Sequence, residues 1–180
     1  MDKRIFVSVA LPKAVKAYLK NLQQTEVRWI RWMKPENLHI TLNFLGYLQE
    51  PEIAEVKEIL VATVPGFAPF RLRLSALRPE RDMLWLSPEE SRPLLELHEE
   101  LKNRFAEVRL GKRERREYHP HILLARSATG RKMTWQPQNF EPQEFQAESV
   151  GLYESELRPK GAIHTLLQSF AFGMEKSNEN

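Results

Sequence analysis

Two similar tetrapeptides place a histidine in each half of the chain. His-Ile-Thr-Leu occupies residues 39–42, and His-Ile-Leu-Leu occupies residues 121–124. Histidine titrates near neutral pH, so one imidazole can be neutral while a second carries a proton. Two such rings that face one cleft can act as a general base and a general acid. A lone histidine on a strand is more often a hydrogen-bonded structural residue. The duplication is therefore what favours a paired acid–base site.

Strand periodicity predicts where these side chains point. Residues 38–45 alternate polar and apolar side chains, which is typical of a half-buried strand. Successive side chains on a strand face opposite sides, so the polar set should line a cleft and the apolar set should pack in the core. The polar set is His39, Thr41 and Asn43, and the apolar set is Ile40, Leu42 and Phe44. By the same rule, the second motif should present His121, Leu123 and Ala125 to the cleft.

The remaining pattern predicts the elements that position the two motifs. Strands are expected over residues 5–11, 38–45, 70–77, 83–86, 122–125, 145–157 and 162–172, and helices over 13–24, 51–64 and 91–108, the last capped by Ser91. Residues 27–33 are ambiguous, with a short strand as one interpretation, and 126–142 have the composition of a loop. Each half contains a strand, an amphipathic helix and a strand that opens with a histidine. We therefore expect an α+β fold in which antiparallel sheets form two pseudo-two-fold lobes around a cleft.

Composition narrows the classes of protein. The chain has 180 residues, 42% of them hydrophobic, a formal charge of +3 and no cysteine. Its size suits one domain, expected over residues 1–174, with a disordered polar tail over 175–180. The lack of cysteine excludes disulfides, thiolate nucleophiles and cysteine-ligated zinc, and suits a reducing cytoplasm. No apolar run reaches the roughly 18 residues of a membrane helix.

The two motifs and several flanking segments resemble one known family. Leu-His-Ile-Thr-Leu-Asn-Phe-Leu-Gly at 38–46 and His-Pro-His-Ile-Leu-Leu-Ala-Arg at 119–126 are similar to the paired H-x-T-x motifs of the 2H phosphoesterase superfamily. The segments at 4–12, 34–37 and 152–157 also fit, with sequences Arg-Ile-Phe-Val-Ser-Val-Ala-Leu-Pro, Lys-Pro-Glu-Asn and Leu-Tyr-Glu-Ser-Glu-Leu. Within that superfamily the chain resembles the RNA 2′,3′-cyclic phosphodiesterases, also labelled 2′-5′ RNA ligases, over nearly its whole length.

The resemblance implies a fold, a reaction and residue roles. It implies a bilobal α+β fold and hydrolysis of RNA or nucleoside 2′,3′-cyclic phosphates to 2′-phosphates. His39 would be the proton donor and His121 the proton acceptor. Thr41, two residues after His39 and on the same face, is placed to bind the phosphate. We expect no cofactor and no metal, since the histidines lack metal-ligand spacing. RNA ends or nucleoside cyclic phosphates would be the substrates of a monomeric enzyme.

Leu123 departs from the family pattern, which has threonine at this place. Leucine cannot donate through its side chain, so only its backbone N–H could bind phosphate. Loss of one donor to a developing charge can cost about 2.7–4 kcal/mol of transition-state stabilisation. The alternative interpretation is therefore an RNA- or nucleotide-binding module with weakened or lost catalysis.

Other polar residues have a structural and a functional interpretation. We expect His119 to be a solvent-facing residue at the strand entry and His98 to be structural or exposed. The resemblance implies a tyrosine-like residue at the position of His164. In one interpretation, this position lines the cleft. Strand alternation places Arg126 on the face opposite the histidines, where we expect it to form an ion pair. The exception would be a strand that ends or bulges before Arg126.

Two further groups of residues could contact RNA. The basic stretch before the second motif is either a solvated loop or a contact for the RNA backbone, and contains Lys112, Arg113, Arg115 and Arg116. The tryptophans at 29, 32 and 85 could stack on bases, but core packing is the expected role because tryptophan is highly buried on average.

Overall fold

The computed structural model describes residues 1–23, 27–111, 117–159 and 161–173. These residues form strands and α-helices in a mixed order along the chain. The strands are β1 (Lys3–Ala10), β2 (Ile30–Trp32), β3 (His39–Leu48), β4 (Phe70–Glu80), β5 (Met83–Pro88), β6 (Ile122–Ser127), β7 (Gln143–Ala147), β8 (Ser149–Glu156) and β9 (Ile163–Ala171), and the helices are α1 (Lys13–Asn21), α2 (Glu50–Thr63) and α3 (Arg92–Glu107). The tail predicted over 175–180 lies outside the described residues.

The strands form two antiparallel sheets, one with the order β3-β1-β8-β9 and the other with the order β2-β6-β5-β4-β7. The predicted α+β fold with antiparallel sheets is therefore confirmed. The predicted repeat also has a structural counterpart. β1 and β3 pair with each other and are connected through helix α1, and β5 and β6 pair and are connected through helix α3. Each histidine motif thus lies beside an earlier strand of its own half.

Alternating burial explains why these segments form strands and helices. In β4, Phe70, Leu72 and Leu74 are buried, while Arg71 and Arg73 between them are exposed. Helix α3 buries an apolar stripe with helical spacing, formed by Leu94, Leu97, Leu101 and Phe105. These faces meet in one hydrophobic core that draws residues from both sheets and all three helices. The core fixes the two sheets against each other and thereby fixes the cleft between them.

Two details of the predicted elements are wrong, and a third is confirmed only in part. Residues 145–157 do not form one strand, because β7 and β8 belong to different sheets and separate at Glu148. The change of sheet is visible as a change of buried parity, from Phe145 and Ala147 to Val150 and Leu152. β3 does not stop at Gly46, which takes a φ of 84° inside the strand. Ser91 occupies the predicted N-cap position of α3, but its side chain makes no capping hydrogen bond.

Candidate active site

The four predicted site residues line one cleft between the two sheets. His39 opens β3 in one sheet, and His121 directly precedes β6 in the other. Both histidines, with Thr41 and Leu123, border a cleft of about 600 Å³ whose walls come from both sheets. Residues from the two halves of the sequence therefore face the same space.

Both histidine rings are oriented by the same backbone contact. Nδ1 of His39 lies 2.7 Å from the carbonyl oxygen of Asn37, and Nδ1 of His121 lies 2.8 Å from the carbonyl oxygen of His119. A carbonyl oxygen can only accept, so Nδ1 donates in each case. Nε2 is then the nitrogen of each neutral ring that can take a proton. In His39 this atom lies 3.1 Å from Oγ1 of Thr41, whose hydroxyl can donate to it.

An aromatic ring packs against each imidazole. Phe6 is stacked on His39 with a centroid distance of 4.8 Å, and Trp85 is stacked on His121 at 3.8 Å with 12° between the planes. Trp85 lies on β5 opposite Leu123. The sequence favoured a core or base-stacking role for Trp85 and did not indicate its contact with His121. These rings restrict the rotation of both imidazoles.

A bulge in β3 changes which residues face the cleft. Ser8 pairs with Thr41 and Val7 pairs with Asn43, so Leu42 is an extra residue in the ladder. After the bulge Asn43 turns inward and is 8% exposed, whereas Phe44 is 40% exposed and lines the cleft. The prediction that Phe44 packs in the core is therefore wrong. A bulge inserts one residue on one strand and so reverses the alternation beyond it.

An equivalent bulge occurs in β6. Trp85 pairs with Leu123 and Leu84 pairs with Ala125, so Leu124 is the extra residue. Ala125 is consequently buried, and its predicted place in the cleft is wrong. Arg126 instead reaches the cleft wall, and its Nη1 lies 3.5 Å from Oδ2 of Asp82. Arg126 thus makes the expected ion pair and also faces the same cleft as the histidines.

In the described part of the cleft, the lysine and arginine side chains have no acidic side chain beside them in its lining, although Arg126 and Arg158 form ion pairs with Asp82 and Glu156. Among the described residues that line it, none is an aspartate or glutamate, and five are basic, namely Arg4, Arg31, Lys34, Arg126 and Arg158. Arg4 donates from Nη1 to Oγ of Ser155 at 2.7 Å, and its guanidinium carbon lies 4.4 Å from the centre of the Phe44 ring. A cavity lined by one sign of charge attracts ligands of the opposite sign. This arrangement suits a phosphate-bearing ligand.

Burial changes the titration of the histidines. Desolvation lowers the pKa of His39 to about 4, and the positive charges of His164, Lys16 and His121 add to this shift, while the hydrogen bond to Asn37 opposes it. Burial also lowers the pKa of His121, to which Arg78 and His119 add, and the bond to the carbonyl of His119 opposes the shift. Both rings are therefore biased towards the neutral form.

The other three histidines lie in different surroundings. His164 lines the cleft, and its ring meets that of His39 edge-on at a centroid distance of 5.3 Å. His98 is buried, and its Nδ1 donates to the carbonyl oxygen of Leu42 at 2.9 Å. His119 is exposed, as expected. His164 is therefore a third histidine of the cleft, whereas the sequence left open whether it lies there.

A second cavity of about 680 Å³ adjoins the cleft. It shares Thr41, Phe44 and His121 with the cleft, and Trp85 and Tyr118 form part of its wall.

The remaining candidates for RNA contact have mixed surroundings. Trp32 lines the main cleft and meets Trp135 edge-on, while Trp29 packs against the core. The basic stretch formed by Lys112, Arg113, Arg115 and Arg116 lies outside the described residues.

The described part of the chain offers neither a metal cluster nor a membrane helix. Across 1–23, 27–111, 117–159 and 161–173, no group of three or more histidine, aspartate or glutamate side chains is arranged to hold a metal ion. In the same ranges, no helix combines the length and the apolar character needed to cross a membrane.

The chain is similar in sequence to a known protein family and to several of its relatives. A family model described as the 2′-5′ RNA ligase superfamily matches residues 13–158. A relative from Thermus thermophilus named RNA 2′,3′-cyclic phosphodiesterase is 32% identical, with 98% of this chain and 93% of the relative covered. A relative of the same name from Methanothermobacter thermautotrophicus is 27% identical, with 94% and 99% covered.

Solved structures show the same fold. A crystal structure of a protein from Thermus thermophilus has a TM-score of 0.79 at 29% identity and covers 96% of this chain and 99% of that one. LigT of E. coli in its apo form has a TM-score of 0.83 at 22% identity, with 97% of this chain and 99% of that one covered.

Proposed function

This chain belongs to the 2′-5′ RNA ligase superfamily, and from that premise we propose that it hydrolyses 2′,3′-cyclic phosphates of RNA ends or nucleosides to 2′-phosphates. His39 and His121 are the proton carriers, and the reaction uses neither a metal nor a cofactor. The observation that carries the proposal is the pair of imidazoles that line one cationic cleft, each with Nδ1 bonded to a backbone carbonyl. The relatives named RNA 2′,3′-cyclic phosphodiesterase support the same reaction.

The reaction needs one proton removed and one proton delivered. Water attacks phosphorus, and Nε2 of His121 accepts the proton that the water loses. The bond from phosphorus to O3′ breaks, and Nε2 of His39 donates a proton to O3′. The phosphate remains on O2′, so the atoms balance, with one proton taken up by His121 and one given up by His39. Positioned acid–base groups of this kind typically contribute about 10²–10⁴-fold to a rate.

The donor must carry a proton when the bond breaks. His39 by itself is neutral at pH 7, since burial lowers its pKa to about 4. A cyclic phosphate brings a negative charge, and an opposite charge within about 4–6 Å favours the protonated imidazole. We therefore expect His39 to become protonated when the substrate binds. His121 can remain neutral as the base, because its pKa is also lowered by burial.

Several groups can hold the phosphoryl oxygens. We assign the hydroxyl of Thr41 and the backbone N–H of Leu123 to this role, with Arg126 as an additional cation on the side of the second motif. Arg126 reaches the cleft wall because β6 bulges at Leu124. Its ion pair with Asp82 is partly exposed, so the guanidinium can exchange that partner for a phosphate. Donors fixed before the reaction stabilise developing charge without reorganising.

The test is hydrolysis of a short RNA that ends in a 2′,3′-cyclic phosphate, with EDTA present. The native protein should form the 2′-phosphate, and His39→Ala and His121→Ala should each lose about 10²–10⁴-fold in rate. Arg71→Ala, an exposed substitution on β4, is the control and should match the native protein. Dependence of the native rate on added metal would overturn the metal-free mechanism. Tight binding of the RNA without turnover would instead select the binding module, with Leu123 as its cause.

We further propose that the enzyme is a monomer of the cytoplasm and that residues 1–174 act as one domain. The absence of cysteine suits a reducing compartment, and a cleft built from both sheets requires both lobes together. Light scattering during size-exclusion chromatography checks the monomer, for which a mass near 21.2 kDa is expected.

A further inference from the structure

Two side chains from outside β3 bind neighbouring carbonyl groups at its bulge. Oη of Tyr118 donates to the carbonyl oxygen of Thr41 at 2.8 Å, and Nδ1 of His98 donates to that of Leu42 at 2.9 Å. The two donor rings are stacked on each other, with centroids 3.8 Å apart and 12° between their planes. We name this pair, Tyr118 and His98, the carbonyl clamp.

The bulge explains why these carbonyls need partners. β3 lies at the edge of its sheet and pairs with β1 alone. Leu42 has no partner in the β1 ladder, since Ser8 pairs with Thr41 and Val7 with Asn43. A buried carbonyl without a donor costs free energy comparable to a lost hydrogen bond. The clamp satisfies both groups and so stabilises the bulge that buries Asn43 and turns Phe44 into the cleft.

The second motif contains the matching bulge with a different partner. Leu124 in β6 has the same place relative to His121 as Leu42 has relative to His39. Its carbonyl oxygen accepts from the backbone N–H of Met33 at 2.8 Å. One half therefore stabilises its bulge through backbone pairing, and the other half depends on two side chains.

The clamp also connects the two motifs. Tyr118 lies shortly before His121, and the residue after Tyr118, His119, supplies the carbonyl that orients the ring of His121. One short segment thus binds Thr41 of the first motif and orients the histidine of the second. Burial raises the pKa of Tyr118, so its hydroxyl keeps the proton that this contact needs.

We propose that Tyr118 and His98 are positioning residues that set the placement of His39 and Thr41 relative to His121. This inference rests on the proposed function, in which both histidines must reach one phosphate. Neither residue of the clamp transfers a proton in the reaction. Their effect is on geometry, and small displacements of reacting groups can reduce a rate about 10²-fold.

The first experiment is Tyr118→Phe, which removes one hydroxyl and retains the stacked ring. With the cyclic-phosphate RNA, kcat should fall about tenfold or more while KM changes less than about twofold, as expected when an interaction made in the transition state is weakened. Tyr18→Phe is the matched control. This substitution likewise removes one hydroxyl that makes a single hydrogen bond, although the Tyr18 hydroxyl accepts from the backbone N–H of Glu141. Tyr18 lies on α1 and lines neither cavity. Its kcat should equal that of the native protein.

A double substitution separates positioning from general stability. In a His121→Ala background, Tyr118→Phe should have little further effect on kcat, because residues that act as a unit are strongly non-additive. An unchanged kcat in Tyr118→Phe, with only a lower melting temperature, would overturn the proposal and leave the clamp a purely structural contact. A full additional loss of kcat in the double variant would have the same consequence.

The connection can be measured without turnover, which keeps it distinct from the proposed function. The imidazole resonances of both His39 and His121 should shift in NMR spectra of Tyr118→Phe and stay in place in Tyr18→Phe. A shift confined to one of the two histidines would show that the clamp does not connect the motifs. If the native protein fails to hydrolyse the RNA while both resonances shift, the proposed function is wrong and the positioning contact stands.

Discussion

Each imidazole of the cleft is held on two sides. A carbonyl two residues earlier fixes Nδ1, and an aromatic ring, Phe6 or Trp85, covers one face. These contacts restrict the rotation of the side chain and leave Nε2 as the reactive nitrogen. Precise placement of both rings is what an acid and a base on one substrate need. The local sequence contributes to it, because each histidine stands where the chain enters a strand and so lies beside the carbonyl of residue i−2.

The residue that departs from the family pattern gives a direct test. Leu123 borders the cleft opposite Trp85 and brings no hydroxyl to the phosphate. Leu123→Thr should raise kcat about tenfold or more, since a donor to developing charge is worth about 2.7–4 kcal/mol where one has been removed. Single-turnover hydrolysis of the cyclic-phosphate RNA measures the gain.

Leu123→Val is the matched control for that substitution. Valine has the shape of threonine but lacks its hydroxyl, so it should give no gain. Equal gains for threonine and valine would attribute the effect to side-chain size, and no change or a loss for threonine would contradict the prediction.

At the scale of the elements, periodicity predicted most strands and helices but not the bulges that follow the two histidine motifs. The burial of alternate residues in β4 and the stripe on α3 follow directly from the sequence. The bulges at Leu42 and Leu124 do not, because an extra residue is stabilised by partners far along the chain, such as His98 and Met33. The errors for Phe44 and Ala125, and the arrival of Arg126 in the cleft, all have this one cause.

The site itself was predictable in part for the same reason. The two histidines, Thr41 and Leu123 precede the bulges, so strand parity placed them correctly in one cleft. The role of His164 was left undecided and the contact between Trp85 and His121 was missed, because these contacts cross between strands and cross-strand register depends on the whole sheet.

A glycine on β8 supports His39 through a row of rings. Tyr153 stacks on Phe6 at 5.3 Å, and Phe6 stacks on His39. A methyl group on Gly151 would overlap the ring of Tyr153 and lie 2.9 Å from Leu166. Gly151→Ala should therefore displace Tyr153, lower the free energy of unfolding by about 1–3 kcal/mol and reduce kcat. Urea unfolding and hydrolysis rates check both effects.

Gly66→Ala is the control, because a methyl group there meets no atom within 4 Å. It should leave the unfolding free energy and the hydrolysis rate near their native values. Comparable values for the two alanine variants would show that the row of rings does not depend on the glycine.

In the whole molecule, two halves of similar architecture both contribute walls of the cleft. In each half, the strand at the histidine motif lies beside an earlier strand of the same half. The two sheets have the corresponding orders β3-β1-β8-β9 and β6-β5-β4-β7, and β2 pairs with the free side of β6. Such symmetry gives both histidines the same backbone support. The asymmetry lies in the surroundings, since His39 is strongly desolvated and has a third histidine, His164, beside it. Two halves with a similar fold can thus hold His39 and His121 with different proton affinities.

That burial links folding to pH. The pKa of His39 is lowered to about 4, and those of His121 and His164 are lowered by burial as well. An unfolded histidine has a pKa of about 6.5, so below that pH the unfolded chain binds protons that the folded chain does not bind. The free energy of unfolding should consequently fall as the pH drops from about 6.5 towards 4. Urea unfolding between about pH 7 and 5 measures this slope, and His39→Asn should make it shallower than in the native protein. A native slope of the opposite sign, or an unchanged slope in His39→Asn, would show that the cleft does not hold His39 in its neutral form.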